Sequence, residues 1–119
     1  MDAQEPTALD QIIADARARA VRQVEALERA LRSIVDGAEL TSTDDEHDPE
    51  GATIAYERAQ TIALLRQARE DLDGLNANAA RCARDGDVRC VDCGRLIALE
   101  RIVALPMAQR CISCASSAP

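Results

Sequence analysis

The stretch from Cys90 to Cys114, CVDCGRLIALERIVALPMAQRCISC, holds two CxxC pairs with seventeen residues between them. Each CxxC pair places two sulfurs on one tight turn, and two such turns together supply the four thiolates that a tetrahedral zinc ion prefers. A closed shell of four thiolates leaves no open position for water or substrate, so the metal would be structural. The sequence therefore predicts one structural zinc ion. Its ligands would be Cys90, Cys93, Cys111 and Cys114.

Four cysteines could also form two disulfides or hold an iron–sulfur centre. The N-terminus MDAQEPTALD has neither the basic region nor the apolar core of a secretory signal, and no apolar run is long enough to cross a membrane. We therefore expect a cytoplasmic protein, and a reducing compartment favours metal over disulfides. Nearby arginines are expected to favour thiolate over thiol. These are Arg89, Arg95, Arg101 and Arg110. Zinc is accordingly favoured over the two alternatives.

The chain before the finger has the composition of long helices, with one Tyr, no Trp and no Phe. A capping-box variant at Thr7 and Asp10 opens an apolar stripe with steps of three and four, which predicts a helix over 7–36. A second apolar stripe predicts a helix over 52–84. Its residues are Ala55, Ala59, Ile62, Leu65, Ala68, Leu72, Leu75, Ala79 and Cys82.

Two long amphipathic helices joined by one loop predict an antiparallel coiled-coil hairpin, so the fold class is mainly α. We expect a monomer made of a flexible N-terminus (1–6), a hairpin (7–86) with its tip at 37–51, a zinc finger (87–115) and a short tail (116–119). We expect the residues of each stripe to serve in core packing alone. Cys82, on the second stripe, is expected to be a buried thiol and not a fifth ligand.

The net negative charge of the chain comes from one segment. Seven acids and no Lys or Arg lie between Asp36 and Glu50, so the rest of the chain sums to zero and this segment carries the whole net charge of −7. An acidic protein is a poor direct ligand for nucleic acid, so we expect no direct DNA binding. We also expect no enzyme, because the sequence shows no Ser/His/Asp set and no phosphate-binding glycine loop.

Beyond the cysteines, the finger follows a longer pattern, CxxCGxxI, then RI, then AxPxAxxCxxC. The matching positions are Cys90, Cys93, Gly94, Ile97, Arg101, Ile102, Ala104, Pro106, Ala108, Cys111 and Cys114. On these residues the sequence resembles the DksA/TraR family of zinc-finger transcription regulators, whose members carry a long antiparallel coiled coil before the finger. The resemblance implies a bacterial regulator that binds RNA polymerase through its secondary channel, without binding DNA, and brings its acidic tip near the catalytic centre.

The family's tip pattern is an Asp, two residues, an Asp, one residue, then Ala. Counting back from the finger without gaps places Glu50 at the second acid and Ala52 at the alanine, while His47 takes the place of the first acid and Asp48 lies one position away. The resemblance thus implies an altered tip. The residues that we expect to act on polymerase are Asp45, Asp48, Glu50 and Ala52.

Two departures from the family limit what the resemblance implies. Members that bind the alarmone ppGpp together with polymerase carry basic side chains where this chain has Leu105 and Ala115, which argues against ppGpp dependence. Longer members continue after the finger into a C-terminal helix that contacts polymerase. The alternative function is a zinc-stabilised coiled-coil adaptor that binds a different protein partner.

Overall fold

The computed structural model describes residues 7–40 and 49–117. Within these residues four helices follow one another: α1 (Ala8–Leu40), α2 (Pro49–Asp85), α3 (Leu99–Ala104) and α4 (Ile112–Ser116). Between them, the described residues form one isolated antiparallel bridge, Arg89 with Leu96, and no longer strand. The prediction of a mainly α fold is confirmed.

The two long helices form the predicted hairpin. Arg17 of α1 donates a hydrogen bond to Asn76 of α2, and further along α1 the side chain of Glu28 lies 4.0 Å from that of Arg69. Because residue numbers rise on one helix as they fall on the other, the helices are antiparallel. The molecule is elongated, with principal extents of 64, 41 and 18 Å, and its two long helices lie side by side as a rod. Within the described part of the chain, every helix is too short or too polar to span a membrane.

The start of α1 is fixed by the predicted capping box. The hydroxyl of Thr7 accepts a hydrogen bond from the backbone N–H of Asp10 (3.2 Å), and the carboxylate of Asp10 accepts one from the backbone N–H of Thr7 (3.0 Å). Two N–H groups that the helix itself cannot satisfy are thereby paired. This part of the sequence prediction is confirmed.

The helices extend further toward the tip than the apolar stripes predict. The first helix continues through Gly37 to Leu40, and the second begins at Pro49 instead of at residue 52. Proline is favoured in the first turn of a helix, because it has no N–H to leave unpaired and its φ is already helical. The tip predicted at 37–51 is therefore helical at 37–40 and at 49–51, and residues 41–48 lie outside the described residues.

The seam between the two helices follows a seven-residue repeat on α2. Ile54, Thr61, Ala68, Leu75 and Cys82 are seven residues apart and all are buried or half-buried. A strict seven-residue repeat keeps one side of a helix against its partner along a coiled coil. The expected seam positions Ala55, Ala59 and Ile62 are wrong, since all three are exposed and Ile62 is 39% accessible. The apolar pattern misleads there because Thr61 takes a seam position.

Most of the buried apolar side chains among the described residues fall into two clusters. One lies midway along the hairpin, around Val24, Leu65 and Ala68. The other joins the base of the hairpin to the finger and contains Ile13, Cys82, Val88, Cys90, Ile97, Ile102 and Ala108. Cys82 is a buried free thiol, as expected, and burial raises its pKa, so it stays a neutral apolar side chain.

Candidate metal centre

The first CxxC pair lies on a tight turn held by backbone hydrogen bonds. Gly94 donates its N–H to the carbonyl of Cys90 (3.0 Å), and Cys90 donates to the carbonyl of Arg95 (2.8 Å). Gly94 has φ +75°, a left-handed conformation that costs glycine little and other residues more. The turn therefore directs Cys90 and Cys93 to one side, and Gly94 permits its close backbone path.

The second CxxC pair opens the short helix α4. Cys111 is the residue before the helix, and its sulfur accepts the backbone N–H of Cys114 at 3.5 Å. The helix then carries Cys114 back toward the sulfur of Cys111. This is the geometry of an N-cap with sulfur in place of oxygen, so the same residues both start the helix and present two sulfurs.

The four sulfurs converge on one point. All four Sγ atoms lie within 4.8 Å of one another, and those of Cys93 and Cys111 are 3.8 Å apart. A tetrahedron with metal–sulfur bonds of about 2.3 Å has edges of about 3.8 Å. All four cysteines are free thiols, so the disulfide alternative is not realised here. The arrangement fits one structural zinc ion with a closed ligand shell.

The thiols themselves show why this cluster needs a cation. Hydrogen bonds from the backbone N–H groups of Cys111, Cys93 and Asp92 lower the pKa of the Cys90 thiol to about 6. The neighbouring sulfurs of Cys111, Cys90 and Cys93 raise the pKa of Cys114 to about 12. One thiolate therefore forms readily and makes the next unfavourable. A bound dication removes this conflict by neutralising the charge of crowded sulfurs.

Three arginines near the site form ion pairs and hydrogen bonds within the finger. Arg110 pairs with Asp92 at 2.6 Å, and Arg101 donates to the carbonyl of Arg110 at 2.7 Å. Arg89 pairs with Asp87 and donates to the carbonyl of Gly94. The pKa of Cys90 is lowered by backbone N–H groups, whereas the sequence pointed to arginine side chains. These side chains instead hold the two turns together around the sulfurs.

A buried polar clamp joins the finger to α2. Asn78 is fully buried, and its side-chain amide donates to the carbonyls of Pro106 (2.8 Å) and Ala108 (3.0 Å). Gln109 donates to the side-chain oxygen of Asn78 (3.0 Å) and is within hydrogen-bond distance of the carbonyl of Gly74 (3.2 Å). The backbone carbonyl of Gln109 also accepts the N–H of Val91, inside the first CxxC turn.

Gly74 allows the close approach that this clamp requires. A Cβ atom at position 74 would lie 2.9 Å from the backbone oxygen of Met107 and 3.1 Å from its Cβ. The residues predicted from the sequence did not include Gly74, Asn78 or Gln109. An asparagine on the inner side of a helical stripe was the one available signal, since asparagine favours caps and turns over helix interiors.

The predicted tip residues are placed only in part. Glu50 and Ala52 belong to the first turn of α2, and Ala52 is exposed. Asp45 and Asp48 lie outside the described residues. The finger and the first turn of α2 are at opposite ends of the rod, because α2 runs from Pro49 to Asp85 and the finger follows its last residue. Among the described residues, Glu50 and Ala52 thus lie far from the zinc site.

Comparison with known proteins bears on both parts of the molecule. Residues 84–119 match the family model of the prokaryotic dksA/traR C4-type zinc finger. The solved structure of the transcription factor DksA2 from Pseudomonas aeruginosa is similar to this one with a TM-score of 0.55. The two share 22% sequence identity over 95% of this chain and 88% of the other. Among curated proteins, none matches the chain.

These findings agree with the geometry of the site. The family match begins in the last turn of α2 and includes all four cysteines, and C4-type zinc fingers hold one zinc ion. At 22% identity the structural likeness shows the fold, a long hairpin that carries the finger at its base. The DksA/TraR recognition is thus confirmed: residues 84–119 match the prokaryotic dksA/traR C4-type zinc finger, and the chain shares its fold with the DksA2 structure.

Proposed function

We propose that this chain is a bacterial transcription regulator that binds RNA polymerase through the secondary channel. The observation that carries the proposal is the combination of a dksA/traR-type finger with a fold shared over 95% of the chain with a transcription factor, DksA2. Such a protein works in the cytoplasm, where RNA polymerase is, and carries out no catalytic step itself. It acts through polymerase and not through DNA, since its net charge of −7 opposes contact with phosphates.

The shape of the molecule supports this mode of binding. Helices of 33 and 37 residues extend about 50 and 55 Å at 1.5 Å per residue. Two helices side by side make a rod narrow enough to enter a channel that a globular domain could not. The finger adds a further module at the base of the hairpin, so in this proposal insertion proceeds tip first and stops at the finger.

The active end in this proposal is the acidic tip. We propose that Asp45, Asp48, Glu50 and Ala52 act near the catalytic centre of polymerase, where carboxylates can hydrogen-bond mobile loops or alter the surroundings of bound magnesium. Seven acids without a base between Asp36 and Glu50 give this end a strong negative field. The zinc ligands Cys90, Cys93, Cys111 and Cys114 have a separate task, which is to fix the base of the hairpin.

Binding and activity test the proposal with purified components. The full chain is loaded with zinc and titrated against RNA polymerase from the same host, and its effect on open-complex lifetime is measured in a defined transcription assay. The variant D48N/E50Q removes two tip charges. It should bind polymerase within about threefold of the unmodified chain, because the helices and finger are unchanged, and should lose the effect on open complexes.

A matched control separates position from charge. Glu25 and Glu70 are exposed residues on the hairpin stem, so E25Q/E70Q removes the same two charges away from the tip. This variant should keep both binding and activity. Equal activity of D48N/E50Q and the unmodified chain would refute the tip mechanism. Absence of binding to polymerase by the unmodified chain would refute the function itself and favour an adaptor of another protein.

A further inference from the structure

Gln109 is the residue at which the zinc site and the hairpin meet. It lies in the segment between α3 and α4, two residues before the zinc ligand Cys111. Its side chain bonds to α2, more than thirty residues earlier in the chain, whereas its backbone bonds to the first CxxC turn. One residue is therefore held by two parts of the molecule that are distant in sequence.

The side chain of Gln109 is held on a single turn of α2. Its amide nitrogen lies 3.0 Å from the side-chain oxygen of Asn78 and 3.2 Å from the carbonyl of Gly74, and it also lies 2.9 Å from the carbonyl of Met107. Asn78 is fully buried, so water is a poor replacement for the donor that its oxygen has in Gln109. The amide thus fixes the position of residue 109 against the hairpin.

The backbone of Gln109 is held on the first CxxC turn. Its carbonyl accepts the N–H of Val91 at 2.9 Å, and among the described residues this is the one backbone hydrogen bond that joins the two CxxC segments. The next residue, Arg110, pairs with Asp92 of the same turn at 2.6 Å. The position of residues 109 and 110 therefore sets how the segment that leads into Cys111 meets the first pair of cysteines.

No other residue in the described part of the chain has both connections. The hydrogen bonds between the finger and α2 all involve residues 106–109, and Gln109 is the member of this segment that also bonds to the first CxxC turn. The pair of Arg89 with Asp87 and the bond from Arg101 to the carbonyl of Arg110 stay within the finger. Gln109 is thus the direct route from the metal site to the hairpin.

The zinc site has little tolerance for a shift between its two halves. The four sulfurs come from two segments and lie within 4.8 Å of one another. Metal–sulfur bonds are about 2.3 Å long and vary by about 0.2 Å. Residues that orient metal ligands without binding the metal commonly change its affinity about 10- to 100-fold.

We infer that Gln109 is a positioning residue that couples the zinc site to α2. Its hydrogen bonds to Asn78 and Gly74 hold the two CxxC turns in the register that zinc requires, and so raise the affinity for zinc. Bound zinc fixes the same register from the other side, and so strengthens the hydrogen bonds of Gln109 to α2. The two effects are equal in size, because coupling between two equilibria is reciprocal. Occupation of the metal site is thereby transmitted to the base of the hairpin.

Zinc affinity provides the first test, measured on the full chain by competition with a chromogenic chelator. Q109A removes the side-chain amide and leaves the backbone bond to Val91 available. Q109M also removes the donor but keeps most of the volume, which separates hydrogen bonding from packing. The control is Q67A, because Gln67 is exposed on α2 and donates its amide to Asp71, away from the finger.

Q109A and Q109M should each bind zinc about 10-fold or more weakly than the unmodified chain, and Q67A should bind it within about twofold. The affinity of Q109A should fall although all four ligands are intact. Unchanged zinc affinity in Q109A would overturn the inference. A loss in Q109A that Q109M does not share would assign the effect to packing and overturn it as well.

Hydrogen exchange of the backbone amides tests the reverse direction and separates coupling from a purely structural role. Removing zinc from the unmodified chain should speed exchange about 10-fold in residues 74–82 of α2, relative to residues 61–68 in the middle of the hairpin. In Q109A, exchange of residues 74–82 should already be fast and should respond less to zinc. A residue that only stabilises the fold would raise exchange without changing the response to zinc.

An equal response to zinc in Q109A and the unmodified chain would overturn the inference. If Q109A does not fold, the unmodified chain decides by itself, since exchange of residues 74–82 at the same rate with and without zinc would also overturn it. The coupling is measured on the isolated chain without polymerase. Its failure and the failure of the proposed function are therefore distinguishable.

Discussion

Replacing Asn78 by Ala tests how the finger is held on the hairpin. Asn78 is fully buried, and its amide is the donor to the carbonyls of Pro106 and Ala108. Truncation leaves both carbonyls without this donor and opens a small cavity between α2 and the finger. A buried polar group without a partner costs about 1 to 3 kcal/mol. The carbonyl of Pro106 is only part-buried, so water can partly replace the donor there.

We therefore expect N78A to lower the free energy of unfolding by about 2 to 4 kcal/mol. The control is N76A, on the same helix two residues earlier, where the asparagine is exposed and accepts a hydrogen bond from Arg17. Both variants gain the same helix propensity from alanine, about 0.6 kcal/mol, so the difference between them isolates the clamp. N76A should lie within about 1 kcal/mol of the unmodified chain.

Two measurements report the effect. Urea unfolding followed by circular dichroism gives the free energy, and transfer of zinc to a chromogenic chelator reports opening of the finger. N78A should release zinc faster than N76A, because the clamp restrains the segment that leads into Cys111. N78D keeps the volume but points a carboxylate at two carbonyls, so it should be at least as damaging. Equal unfolding free energies for N78A and N76A, within about 0.5 kcal/mol, would refute the reasoning.

Three other predictions concern the same base. G74A should lower the free energy of unfolding by about 1 to 3 kcal/mol despite its better helix propensity, because its Cβ would overlap the backbone of Met107. A G74A variant that is more stable in urea than the unmodified chain would contradict the close approach. I102A should lower the free energy of unfolding by about 2 to 5 kcal/mol, because it leaves a cavity at a buried position. V103A should lower it by at most about 0.5 kcal/mol, because Val103 is exposed. Equal losses in urea unfolding would contradict the burial of Ile102 and the exposure of Val103. Zinc binding holds the thiols deprotonated and so lowers their pKa values in the folded state. The stabilisation that zinc provides should therefore be present at neutral pH and lost on acidification. Undiminished zinc content after dialysis at about pH 4 would contradict thiolate ligation.

Much of the metal site could be predicted from the sequence. Two CxxC pairs, a glycine after the first and a spacing of seventeen residues define two turns and four ligands, because each turn is closed by backbone hydrogen bonds among neighbours in the chain. The capping box at Thr7 could also be predicted, since its two hydrogen bonds join residues three apart in the chain. Hydrogen bonds between residues close in the chain can therefore be predicted from short sequence patterns.

The seam of α2 was predicted correctly only in its lower part. From Leu65 to Cys82 the apolar residues mark the buried side, and the structure agrees. Toward the tip, Thr61 takes a seam position while Ile62 is exposed, so the seven-residue repeat holds but apolarity does not identify it. Hydrophobicity alone cannot select between adjacent positions where burial is shallow, because little free energy depends on the choice.

The sequence by itself determined the ligands of the zinc site, the long helices and the location of the acids, because each depends on residue type and on spacing within one segment. The tertiary structure decided what joins these parts. Asn78 and Gly74 acquire their roles only when residues 106–109 approach α2, and the free apolar side of α3 is defined only once Ile102 has packed against α1. Contacts between segments about thirty residues apart depend on how the segments pack, which spacing within either segment does not encode.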